Sequence, residues 1–186
     1  MSGVCLNAEC LDILDRRVLS TVERAYQETG RRVSLIGQSL GGLLARSVAI
    51  AHPEMVVRII TLGTPFRAIS VNPWVGVAAS AVRFVIFLRH GRDGLPKNCY
   101  TPRCGCPTAQ RLRNGHIPHS VTKLALFTRG DSVVDWRSCI YDDPSDPQLD
   151  REVHGGTHAS LAFHHESFRI IAEELARCGV EERAVA

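Results

Sequence analysis

Hydrophobic and polar positions along this chain follow two periods. Leu11, Leu14, Val18, Val22 and Ala25/Tyr26 recur at three-and-four spacing, which predicts an amphipathic helix over Cys10–Thr29 with Gly30 as its stop. Val33-Ser34-Leu35-Ile36 reads as a strand. The run Leu43–Ala51 reads as a helix ending at His52-Pro53, since the residue before a proline is pushed away from helical geometry. Val121–Thr128 predicts another strand, and Leu149, Arg151 and Val153 continue an alternating pattern. A last helix carries Phe168, Ile171, Leu175 and Cys178 on one face, which reads as core packing. Gly179 closes that helix, and 180–186 reads as a frayed tail.

Between these elements, residues 66–120 are too long for a plain loop and are expected to fold as an insertion within a single domain spanning 1–186. Its stretch Pro73–Leu88 is strongly apolar. At 16 residues and with Arg83 inside, it is too short to cross a bilayer, so no transmembrane segment is expected.

Composition changes little. With 186 residues, 45% apolar and 22% charged, the chain reads as one ordinary globular domain. A net charge of +3 is too mild to argue for nucleic acid, and Arg16-Arg17 and Arg31-Arg32 read as solvated helix-end pairs. Seven cysteines leave one unpaired if the rest form disulfides. Cys99, Cys104 and Cys106 cluster in a Gly/Pro-rich stretch where a crosslink would be useful, and Cys5 could pair with Cys10. A metal would need a fourth ligand such as His116, at a spacing unlike a structural zinc site. Disulfide and free thiol both stay open, and no metal or cofactor is expected. The first 21 residues lack a basic start and an apolar run. The compartment stays open: cytoplasmic by default, secreted if the natural N-terminus lies upstream.

Chemistry enters at Gly37-Gln38-Ser39-Leu40-Gly41. A strand before it and a helix after it match the Gly-x-Ser-x-Gly elbow, a sharp turn that lifts a serine hydroxyl out of the backbone. Both flanking glycines are expected where a side chain would collide with its neighbours. A serine needs a base and an orienting acid. Asp131 follows the strand Val121–Thr128 at once; Asp135, beside Trp136, is its rival. His158 lies in the turn Gly155-Gly156-Thr157-His158, while His154 reads as a strand-end residue. His164 and His165 fall where the last helix begins, and His52 ends an earlier one. Nothing in the sequence places His90, His116 or His119.

Gly-Gln-Ser-Leu-Gly-Gly-Leu-Leu-Ala-Arg, with Ile59-Ile60-Thr61-Leu62-Gly63-Thr64-Pro65 after it, resembles the lipase/esterase branch of the α/β-hydrolase superfamily. Thr128–Cys139 is similar to that branch's acid loop, and Gly155–Leu161 to its histidine loop. The resemblance covers most of 31–66 and 121–178. It implies an α/β fold, a mainly parallel sheet flanked by helices, with a lid-like insertion at 66–120. It implies Ser39 as nucleophile, Asp131 as acid, His158 as base and the Leu40 N–H as an oxyanion donor. The implied activity is cleavage of carboxylic esters, small or lipid, through an acyl-enzyme. An acyltransferase using the same triad, or a non-catalytic hydrolase-fold protein, is the alternative.

The chain also departs from the family. Only 38 residues precede Ser39, and they hold neither the earlier strands nor the loop that would give a second oxyanion donor. The sequence therefore looks like the C-terminal two-thirds of such a domain. Val33–Ile36 is then expected at an exposed sheet edge, through which copies could associate.

Overall fold

The computed structural model describes residues 10–67, 104–146 and 149–184. Helix α1 (Leu11–Thr29) leads to β1 (Val33–Gln38), α2 (Leu40–Ala51) and β2 (Val56–Leu62). Beyond 68–103 come α3 (Pro107–Asn114), β3 (Thr122–Phe127), β4 (Asp150–Glu152) and α4 (His165–Ala184). The strands form one parallel sheet in the order β1-β2-β3-β4. This is the α/β architecture expected, a parallel sheet between helices. The apolar stretch Pro73–Leu88, with Cys5, His90 and Cys99, lies outside the described residues.

Strand alternation explains the layers. On β2, Ile59 joins Val22 of α1 and Val48 and Ala49 of α2 in one cluster. Its neighbour Ile60 points the other way, to Leu62, Leu124, Leu126, Val153, Leu161 and Ile170 of α4. Both faces of β2 are thus covered, which is why Val-Val-Arg-Ile-Ile-Thr-Leu is almost continuously apolar. Helix α1 ends as expected: Gly30 takes a left-handed conformation (φ 66°), and its N–H caps Tyr26.

Two ion pairs lock the layers. Arg111 of α3 donates to Asp15 of α1 and to Ser47 of α2, each at 2.9 Å, so three helices meet at one guanidinium. On the other face, Arg58 of β2 is fully buried, with its Nε 3.3 Å from Glu174 of α4 and a second bond to that residue's carbonyl oxygen.

That pair explains a correction. The face Phe168, Ile171 and Leu175 is not the packed one: Phe168 is 56% exposed and Leu175 is also exposed. Ser167 and Ile170 are buried instead, with Ile171 partly packed. Glu174 must face inward to meet Arg58, and this turns the helix by about one position.

Strand β1 is the edge of the described sheet. It pairs only with β2, and Ile36, in register with Ile60, is 48% exposed on the α4 side. No helix among the described residues is long and apolar enough to cross a membrane.

Candidate active site

Ser39 sits between the last residue of β1 and the first of α2 at φ 50°, ψ −118°, one of two described non-glycine residues with positive φ. Such a conformation is sterically costly for an L-residue and persists only where its surroundings enforce it. They do so here. The Ser39 N–H donates to Leu62 at 2.9 Å, and the Ser39 carbonyl accepts from Gly42 and Leu43. Leu40 opens α2, where first-turn amides have no acceptor within the helix.

The glycines of the turn divide unequally. A β-carbon on Gly37 would lie 2.4 Å from the Gly41 carbonyl oxygen, so only glycine fits. Gly41, expected to be equally crowded, has nothing within 4 Å of that position. The tight position is Gly42, whose β-carbon would meet Thr64 Oγ1 at 2.0 Å. The five-residue motif hides this, because the crowding comes from a residue on the neighbouring strand's exit.

At the end of β3, Asp131 and His158 come together. His158 Nδ1 is 2.7 Å from Asp131 Oδ2, and the Asp131 side chain is 1% exposed. The other carboxylate oxygen accepts from the amides of Val133 and Val134, at 2.8 and 2.9 Å. Burial opposes ionisation of Asp131. The His158 hydrogen bond, the two amides and the histidine charge outweigh it, and hold the carboxyl below its usual pKa. An ionised carboxylate only accepts, so Nδ1 carries a proton, and in the neutral imidazole Nε2 is left with its lone pair.

Asp135 does not reach this pair. It caps a short 3-10 turn, accepting from the Arg137 N–H. His154 is exposed beside Glu152, and His165 begins α4 with its ring stacked on His164. His52 ends α2 next to Glu54.

Several supporting residues lie within these motifs but carry no role that the motifs assign. Gly63 (φ 53°) lies directly beneath the pair: its β-carbon would stand 3.2 Å from His158 Nδ1 and 3.3 Å from Asp131 Oδ2. Thr128 Oγ1 donates to the Gly156 carbonyl, tying the acid loop to the histidine loop. Gln38 Nε2 donates to the His158 carbonyl from the Ser39 side. Among the described residues, Ser39 Oγ has no hydrogen bond to His158. Leu62, which anchors Ser39, directly precedes Gly63 under the His–Asp pair, and this brings the three expected residues to one end of the sheet.

The Esterase family model matches residues 3–84. A homoserine O-acetyltransferase of Deinococcus radiodurans is 34% identical over 84 residues, 44% of this chain and 24% of that protein. A triacylglycerol lipase of Pseudarthrobacter phenanthrenivorans is 42% identical over 52 residues, 27% of this chain and 16% of its own. The chain thus spans a quarter or less of these curated relatives. Among solved structures, the mature form of the Bacillus licheniformis lipase BlEst2 superposes with a TM-score of 0.59 at 18% identity, over 91% of this chain and 76% of that one. That likeness is one of fold: the described chain has the architecture of an α/β-hydrolase, and its local sequence matches are to an esterase family model and to a triacylglycerol lipase.

Proposed function

We propose that this chain performs serine-hydrolase chemistry on carboxylic esters, small or lipid. Ser39 Oγ attacks the acyl carbon while His158 Nε2 takes its proton, and Asp131 holds the imidazole in the productive tautomer. The Leu40 N–H donates to the oxygen that becomes negative. His158 then returns the proton to the leaving alkoxide. Water, deprotonated by the same nitrogen, attacks the acyl carbon, and His158 passes that proton to Ser39 Oγ as the carboxylic acid departs. The observation that carries this reading is the 2.7 Å His158–Asp131 bond at the same end of the sheet as a serine held at φ 50°. A direct Ser39–His158 bond is not required at rest, since catalytic hydrogen bonds often tighten only when substrate binds.

A second reading differs only in the acceptor. The similarity to a homoserine O-acetyltransferase favours an alcohol, rather than water, as the group that takes the acyl from Ser39.

Labelling with a fluorophosphonate probe tests both, since each needs a nucleophilic serine. The expected result is labelling that disappears in Ser39→Ala and in His158→Ala. Folded protein that takes up no probe would overturn the enzyme reading and leave a non-catalytic hydrolase-fold protein. Product analysis with p-nitrophenyl butyrate, with and without added alcohol, separates hydrolysis from transfer.

A further inference from the structure

We propose that Gln38 is a positioning residue: its carboxamide tethers the loop bearing His158 to the strand end bearing Ser39. The inference rests on the reading of these two residues as nucleophile and base.

The loop between β4 and α4 is held at three places. Its start is bonded to the acid side by the Val153 N–H on the Phe127 carbonyl and by Thr128 Oγ1 on the Gly156 carbonyl. Its middle is closed on itself, with Thr157 and Ser160 exchanging bonds and the Leu161 N–H on the Thr157 carbonyl. These contacts fix the loop relative to β3. None of them fixes it relative to Ser39. The bond from Gln38 Nε2 to the His158 carbonyl does, joining residues 120 apart in sequence.

The need for such a tether follows from the sheet. Among the described residues, strand β1 pairs on one side only, and its register shifts between Val33 and Ser34. The elbow is therefore held to β2 and α2, and among the described residues Ser39 Oγ and His158 make no bond with each other. Asp131 fixes the ring end of His158, and Gln38 fixes its backbone end. With both ends held, the free Nε2 keeps a constant direction. Positioning of this kind is worth much, because about 1 Å of misplacement can cost about a hundredfold in rate.

Two substitutions test it. Gln38→Met keeps the length and removes the donor. It is expected to lower the fluorophosphonate labelling rate, and kcat for p-nitrophenyl butyrate, by about ten- to a hundredfold, with KM nearly unchanged. Gln38→Glu sets a carboxylate against a carbonyl oxygen at neutral pH. Once protonated, near the usual glutamate value of about 4.3, it can donate again. Its labelling rate relative to wild type should therefore rise as the pH is lowered from 8 to 5, which a purely structural role would not produce. Wild-type rates in Gln38→Met, or a flat ratio in Gln38→Glu, would overturn the proposal.

Hydrogen exchange reads the tether without chemistry. In Gln38→Met, peptides covering 154–161 should exchange faster while those of α2 stay unchanged. If wild type takes no probe, the catalytic reading fails by itself. Unchanged exchange at 154–161 would still overturn the tether, and faster exchange would support it.

Discussion

A β-carbon on Gly37 would stand 2.4 Å from the carbonyl oxygen of Gly41, backbone against backbone, whereas one on Gly41 would touch nothing within 4 Å. The two glycines of one motif therefore differ physically. Gly37→Ala and Gly42→Ala must displace the turn or Thr64, and are expected to cost about 1–3 kcal/mol or more. Gly41→Ala, in the exposed first turn of a helix, should be neutral or stabilising by up to about 1 kcal/mol. For a domain of this size that is roughly 2–4 °C in melting temperature per kcal/mol. Thermal unfolding of the three variants checks the order, and a Gly41→Ala variant as unstable as Gly37→Ala would refute it.

Asp131 contributes to the acid limb of stability. Its carboxyl is held below the usual value, so the folded state prefers the ionised form and the unfolded state takes up the proton first. The stabilisation is present above about pH 4 and is lost as the pH falls through the native value. Asp131→Asn lacks this titration, so its stability deficit should shrink between pH 6 and pH 3 in denaturant melts. At neutral pH its labelling rate should fall by about 10³–10⁴, because the amide no longer enforces the tautomer. A deficit that stays constant with pH would contradict the linkage.

Glu174→Ala leaves Arg58 charged and nearly sealed from water. Breaking such a pair costs about 3–5 kcal/mol, while replacing both partners by apolar groups is often close to neutral. Glu174→Ala should therefore melt well below wild type, and Arg58→Met with Glu174→Leu should recover much of the loss. A double variant no better than Glu174→Ala would show that the guanidinium's bond to the Glu174 carbonyl carries the stability instead.

The same pair marks what could be read from the sequence and what could not. Alternation and breakers located β1, α2 and β3, because each is a local pattern. The pairing of Asp131 with His158 was legible because their loops resemble a known arrangement. The packed face of α4 was not. Two stripes, 168/171/175 and 167/170/171/174, share Ile171 and differ by one position, and apolar content favours the wrong one. What decides is a charge on β2, distant in sequence. Gln38, Thr128 and Gly63 were missed for a similar reason: each acts through one contact made by another segment.

Among the described residues, strand β1 has neighbours on one side only, and its Ile36 is half exposed. Edges of this kind invite pairing with another chain. We expect the purified chain to associate with rising concentration, and Ile36→Lys to weaken that association in light scattering. Particle sizes independent of concentration in both proteins would rule out the edge as a contact surface.

The order β1-β2-β3-β4 means that space is filled in the order of synthesis. A growing chain can lay each strand beside its predecessor without waiting for a later one. The chemistry has no such early option. The residue before Ser39 meets the carbonyl of His158 across 120 positions. A nascent chain with β1, β2 and β3 already paired thus still lacks the segment that Gln38 meets. The contact that joins the two segments closes only after residue 158 has emerged, long after the strand leading into Ser39 has been laid down.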